Sequence, residues 1–197
     1  MILPIVAYGD PVLRKVAEPI SADYPNLSGL ISDMFETICA ERGVGLAAPQ
    51  IGKSIRLFIV DAAAFSEDED EPDGKSKDPE LIKLTGFKKV FINARIIEES
   101  GTAWNFSEGC LSIPLIREDV PRLPKINIQY LDENFREHHE SFDGIAARII
   151  QHEYDHIEGK LFVDRISPLR RKMIRGKMND ISKGMVSVDY RMKFPKN

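Results

Sequence analysis

The 197-residue chain has only two cysteines, Cys39 and Cys110, so no disulfide framework can carry its fold. Nor is there a run of the roughly 18 apolar residues that a membrane helix needs. The amino end, MILPIVAYGDPVL, lacks a basic stretch followed by an apolar core, so no export signal is read there. Both thiols are then expected reduced, in a cytoplasmic protein with no membrane association. Excess positive charge is missing too: the formal net charge of -4 argues against binding nucleic acid over the whole surface. Internal repeats and linker-like composition are absent. A 43% hydrophobic content at this length suits one core, so residues 1–197 are expected to form a single domain, with a monomer mildly preferred.

What is present is organised by periodicity. Over 26–41, Leu27, Leu30, Ile31, Met34, Phe35, Ile38 and Cys39 recur three or four apart, which predicts an amphipathic helix stopped by Gly43, with Cys39 as a small buried residue. Ile55–Val60 reads as a buried strand after the loop GVGLAAPQIG. Glu67, Asp68, Glu69, Asp70, Glu71 and Asp73 then crowd together, and a run of like charges cannot bury apolar area. The segment from about 64 to 80 is therefore expected to be a solvated insertion loop. Strands resume at Lys89–Ile97 and Lys125–Leu131, with a hairpin turn at Asp132-Glu133-Asn134 into Arg136–Glu140. Asp143 is a plausible cap for a helix carrying Ile145, Ile149, Ile150 and Ile157 and ending at Gly159. Ser167 to about Gly184 is helix-compatible, and MVSVDYRMKF alternates like a final strand. The expected class is α+β: antiparallel sheets packed around a central helix, with an N-terminal helix and a helical and strand-like C-terminal segment.

The central helix carries Gln151-His152-Glu153-Tyr154-Asp155-His156, an H-E-x-x-H pattern. Histidines at i and i+4 lie one above the other on a helix and can share one metal ion. Glu153 projects about 100° from His152, where a carboxylate can reach a water without becoming a ligand, as a general base must. Two histidines and a glutamate can also sit on an ordinary solvated face. The surrounding isoleucines favour burial, and buried histidines need a partner. His138 and His139 are adjacent in a strand and point to opposite faces, so they read as surface residues rather than a shared site.

A catalytic site of this kind needs a third protein ligand. The metzincin extension would place a histidine where Phe162 stands, and the gluzincin alternative needs a downstream glutamate, yet none follows Asp164. Cys110, in Ser107-Glu108-Gly109-Cys110-Leu111-Ser112, is the remaining candidate, with a second buried thiol as its equal alternative.

Three segments together resemble peptide deformylases: Gly43-Val44-Gly45-Leu46-Ala47-Ala48-Pro49-Gln50, Glu108-Gly109-Cys110-Leu111-Ser112 and Gln151-His152-Glu153-Tyr154-Asp155-His156. Gly9-Asp10-Pro11-Val12-Leu13-Arg14 and Gly159-Lys160-Leu161-Phe162 extend the similarity over most of the chain. The resemblance implies a single deformylase catalytic domain that removes the formyl group from formyl-methionine on nascent polypeptides and releases formate. It implies one divalent metal on Cys110, His152 and His156, natively Fe2+, with Zn2+, Ni2+ or Co2+ as substitutes. Glu153 would shuttle the proton, while the Gln50 amide and the Leu111 backbone N–H would bind the oxyanion. Val44, Gly45 and Gly109 would line the substrate. Ile145 and Ile149, one to two turns before the ligands, are placed at the methionine pocket on helical geometry. For the neighbouring Arg148, snorkelling outward is favoured over binding a substrate carbonyl. From Arg165 to Asn197 ten basic residues face two acids, Asp180 and Asp189. Two readings stand for this basic segment of about 165–197: transient contact with ribosomal RNA, or a solvated helix face. The alternatives to a deformylase are an H-E-x-x-H metallopeptidase and a non-catalytic metal-binding module.

Overall fold

Every residue from Leu57 to Val60 is fully buried, because successive side chains of this strand point to opposite faces and both faces are covered. Leu57 and Ile59 pack with the first helix, whereas Phe58 and Val60 pack with the helix that carries the histidines. The computed structural model describes residues 1–66 and 78–195. In chain order these contain strand β1 (Ile5–Val6), helix α1 (Leu27–Ala40), strands β2 (Gly45–Ala47) and β3 (Leu57–Asp61), the short helix α2 (Pro79–Ile82), and strands β4 (Lys88–Ser100), β5 (Trp104–Cys110), β6 (Ile113–Arg122), β7 (Lys125–Leu131) and β8 (Glu137–Asp143). Helices α3 (Gly144–Ile157) and α4 (Pro168–Ser182) and the strand β9 (Met192–Lys193) complete the order.

Strands β2, β3, β4, β7 and β8 form one antiparallel sheet in the order β2-β3-β4-β7-β8. Its two faces are fixed by the alternation along β3 and β4: Val90 and Ile92 join α1 on one side, while Phe91 and Ala94 meet α3 on the other. Phe58 and Phe91 stack at 4.7 Å between ring centroids, at the heart of the α3 side. Burying each such side chain stabilises the fold by about 1.5–3 kcal/mol, which makes this layer the foundation under α3. On the far side of α3, β5 and β6 form an antiparallel hairpin whose inward residues pack with Leu161–Val163 and α4. The helix is therefore enclosed between sheet and hairpin, an α+β arrangement as the sequence pattern predicts. Among the described residues no helix is long and apolar enough to cross a membrane.

Two expectations change. Cys39 is exposed rather than buried, because the apolar stripe of α1 runs through Met34 and Ile38 and residue 39 falls off it near the end of the helix. The tail 185–194 keeps its alternation, with Val186, Val188, Tyr190, Met192 and Phe194 half-buried and the intervening residues exposed. Only Met192–Lys193 is hydrogen-bonded as strand, parallel to Ile5–Val6, so most of the predicted strand is an extended strap. The acidic run Glu67–Asp73 lies outside the described residues.

Candidate metal centre

Helix α3 is buried almost all round, and its inward surface presents residues of unusual polarity for such a place: Arg148, Gln151, Glu153, Asp155 and His156 are all nearly inaccessible. Buried polar groups must find partners. The hairpin supplies them. Cys110 ends β5 where the register with β6 jumps from Gly109↔Arg117 to Cys110↔Ile113, and this irregularity turns the thiol toward the helix. Cys110 Sγ lies 3.4 Å from His156 Nε2. A donor atom from each of Cys110, His152 and His156 falls within 4.8 Å of the others.

These three residues fit a divalent metal. Tetrahedral bonding at ordinary metal–sulfur and metal–nitrogen lengths puts sulfur and nitrogen about 3.6 Å apart, close to the separation seen. The electrostatics agree. Burial would raise the Cys110 thiol, but His156 and His152 outweigh it and bring the group down to about 5, so a thiolate stands ready at neutral pH. Burial would lower His152, yet its hydrogen bonds to Cys110 and Glu108 drive it up to about 10. A histidine held between two anions marks a place that calls for positive charge, which a metal supplies when the proton leaves.

Around the donors a second set of contacts fixes their orientation. His152 donates its Nδ1–H to Glu108 Oε2 at 2.9 Å, which turns Nε2 toward the thiol. Arg122 grips Glu108 with two nitrogens at 2.7 and 2.9 Å and reaches Asp155 Oδ2 at 2.7 Å with its third. Arg165 then holds Asp155 with two bonds of 2.6 Å. Arg148 does not snorkel outward: it is 2% exposed, donates to Glu108 Oε1 at 3.0 Å and to the Val120 and Trp104 carbonyls at 2.7 Å, and lies 4.5 Å over the Trp104 ring. An unpaired guanidinium there would be costly, and Glu108 with two carbonyls offsets much of that cost, although Arg148 Nε is buried without a partner. Sequence reading missed Glu108, Arg122 and Asp155 as site residues. Signals existed for two of them: Glu108 shares a strand face with Cys110 two residues on, and Asp155 sits three residues after His152 on the helix.

The centre opens into a cavity of about 980 Å³ lined by Val44, Gly45, Gln50, Gly109, Leu111 and Ile149, together with Cys110, His152 and Glu153. Ile145 is not on this wall; it packs against the sheet core. It shares a helix face with His152, but two turns displace it by about 10 Å along the axis, past the end of the cavity. Gln50 is anchored by Ala47 N–H, which donates to its Oε1 at 2.8 Å, leaving the amide nitrogen 3.4 Å from Cys110 Sγ. Glu153 lies against Gly45 so closely that a Cβ there would come within 2.5 Å of its Oε1. Among the described residues Glu153 Oε2 and His156 Nδ1 are buried without a hydrogen-bond partner. Burial pushes the Glu153 carboxyl up to about 7, although the two histidines pull against that rise. His138 and His139 lie away from this centre on β8, where His138 pairs with Asp132 and stacks on Tyr130, and His139 meets Gln129 and Glu137.

A buried H-E-x-x-H helix facing a strand-borne cysteine is a donor set that could bind a metal ion, the class of site found in metal-centred hydrolases, with cysteine in the place where the peptidases use histidine or glutamate. The model of the polypeptide deformylase family matches residues 2–172, and peptide deformylases of Flavobacterium psychrophilum and Christiangramia forsetii are 56% and 54% identical over 193 and 195 residues, covering 98% and 99% of this chain and 97% of each relative. Solved peptide deformylases from Legionella pneumophila (36% identity, TM-score 0.73, 94% of this chain and 98% of that one) and Arabidopsis thaliana, the 1B form in complex with an inhibitor (31%, 0.77, 96% and 98%), share the fold. The chain belongs to the polypeptide deformylase family, and it is an enzyme of protein biosynthesis that hydrolyses a formyl amide.

Proposed function

We propose that the protein removes the formyl group from the amino-terminal methionine of nascent polypeptides, using a divalent metal held by Cys110, His152 and His156. The observation that carries this reading is Glu153: a buried carboxyl with one oxygen unpartnered, on the cavity wall and one residue from a ligand. A metal bound by these donors supplies Lewis acidity, which eases the ionisation of water and polarises the formyl carbonyl. Glu153, balanced near neutrality, takes a proton from the attacking water and returns it to the departing amine nitrogen, the exchange a base with a raised pKa performs best. The Gln50 amide, oriented by Ala47, and the Leu111 N–H donate to the oxygen that becomes negative as the carbonyl carbon turns tetrahedral. Val44, Gly45, Gly109 and Ile149 enclose the formyl-methionine end of the substrate, and the apolar Ile149 suits its side chain.

Ferrous iron is the proposed native metal, with zinc, nickel or cobalt as substitutes; a sulfur and two imidazoles accept each of these, and the preference for iron comes from the family resemblance. The cytosol of a bacterium and the nascent chain as partner are proposed on the same resemblance, and a monomeric state as a mild preference. Contact with ribosomal RNA is supported by the groove beside α4, where Arg171, Lys172 and Arg175 gather. Metal analysis of anaerobically purified protein, run beside formate release from formyl-Met-Ala-Ser, tests the whole reading. About one equivalent of metal with formate release supports it; internal cleavage of the peptide without formate points instead to a metallopeptidase and sinks it.

A further inference from the structure

The turn between β5 and β6 is held from outside its own hairpin. Leu111 and Ser112 have no partner in the β5–β6 register, which passes directly from Cys110 to Ile113. Their carbonyls are claimed by two distant segments. Tyr8 N–H, just after β1, donates to Ser112 O at 2.8 Å, and the Tyr190 hydroxyl donates to Leu111 O at 2.8 Å. The same two segments are tied to each other, because Ile5 N–H donates to Arg191 O and Ala7 N–H to Lys193 O, each at 2.9 Å. The strap before β9 also forms cavity wall, through Ser187, Val188, Asp189 and Tyr190. Yet the match to the family model stops at residue 172, so this wall is built by a part of the chain beyond that match.

The geometry points to Tyr190 as a positioning residue for the reaction: its hydroxyl fixes Leu111 so that the backbone N–H of that residue keeps its aim at the developing oxyanion. This rests on the proposed donor role of Leu111. The need for such a restraint follows from the register. The Leu111 carbonyl and N–H belong to successive peptide planes joined at one Cα, and the carbonyl has no partner in the hairpin, so a bond to it limits how far the turn can tilt and carry the N–H with it; a misplacement of about 1 Å at such a donor costs on the order of 100-fold. A phenylalanine would fill the same half-buried space against Leu111, so packing alone does not account for the hydroxyl.

Tyr190→Phe removes the hydrogen bond and leaves the ring. In the metal-loaded full-length enzyme, kcat for formyl-Met-Ala-Ser is expected to fall about tenfold, a fraction of the 10²–10³ that a whole donor commands. KM should stay within about twofold, and bound metal and melting temperature should be unchanged. Glu153→Ala is measured in parallel. A Tyr190→Phe enzyme with wild-type kcat, while Glu153→Ala is inactive, overturns the positioning role and spares the proposed mechanism. Loss of kcat only in step with loss of metal or of melting temperature also overturns it, because Tyr190 would then be structural. If Glu153→Ala retains full activity, the underlying reading of the site fails instead.

Discussion

Glu108 and His152 are joined by a 2.9 Å hydrogen bond in which the imidazole Nδ1–H donates to a carboxylate that two guanidiniums, from Arg122 and Arg148, already hold. The carboxylate is thereby kept ionised: burial works against it, but His152 and Arg122 hold it far below the usual range. An acceptor that stays anionic fixes which imidazole nitrogen is left for a metal.

Replacing Glu108 with Gln should therefore weaken the metal rather than the substrate. Loss of the anionic acceptor beneath His152 is expected to lower metal affinity about 10–100-fold, and leaving two buried cations short of a partner should destabilise the fold by about 3–5 kcal/mol. Competition with a chelator measures the first effect and urea unfolding the second. Unchanged metal retention would show that Glu108 does not orient the ligand.

Gly45 offers a test of Glu153 that keeps its carboxylate but displaces it. A Cβ at position 45 would meet Glu153 at 2.5–2.7 Å, so Gly45→Ala must shift that side chain. A displacement of about 1 Å at a proton-transferring group costs on the order of 100-fold in rate. Steady-state kinetics should show kcat reduced to about that extent, with the metal still bound; a kcat close to wild type would mean that the Glu153 position is not critical.

The chain Arg122–Asp155–Arg165 predicts an acid limit. Burial opposes ionisation of Asp155, but Arg165 and Arg122 outweigh it and hold its pKa below the ordinary value. A depressed folded-state pKa gives stability that is present above the unfolded value of about 3.9 and is lost as pH falls through the folded one. Melting temperature should drop steeply below pH 4. Asp155→Asn should start lower at neutral pH and lose the part of that slope that Asp155 contributes. Parallel curves for both proteins would remove Asp155 from the cause.

Gly159 ends the catalytic helix at φ +68°, and a Cβ there would sit 2.6 Å from the Arg14 carbonyl oxygen. Both facts oppose any other residue, so Gly159→Ala should cost more than about 1 kcal/mol of unfolding free energy. Thermal unfolding decides it, and a neutral result would show that the helix end and the Arg14 turn move apart freely.

The sequence was most readable where chemistry is local. His152, Glu153 and His156 lie within five residues, and helical spacing alone places them on adjoining faces. Cys110 stands 42 residues earlier than His152, and its arrival 3.4 Å from His156 depends on a break in hairpin register that no periodicity announces. Arg148 was misjudged because a long charged side chain normally leaves the core, and only the tertiary fold delivers Glu108 and two carbonyls to it. Ile145 lies off the cavity wall for a different reason: helical phase gives direction around the axis, but not how far along it the cavity extends. β5 and β6 escaped notice because their alternation interleaves charged residues such as Glu108, Glu118 and Arg122 that are buried in pairs rather than exposed. Fold class followed from patterning, whereas the ionic network around His152 depends on partners far apart in sequence.

Because His152, Glu153 and His156 share one rigid helix, their mutual geometry is set by a screw of about 100° and 1.5 Å per residue. Substitutions leave that screw intact, but a single inserted or deleted residue between 152 and 156 would swing one histidine about 100° away while its neighbours stayed put. Length changes in such an enzyme are therefore confined to places like the turn at Asp132–Phe135, where a longer loop disturbs no shared axis. Drift in the length of the gene and drift in its letters fall under different rules here, and the helix is where the first is forbidden.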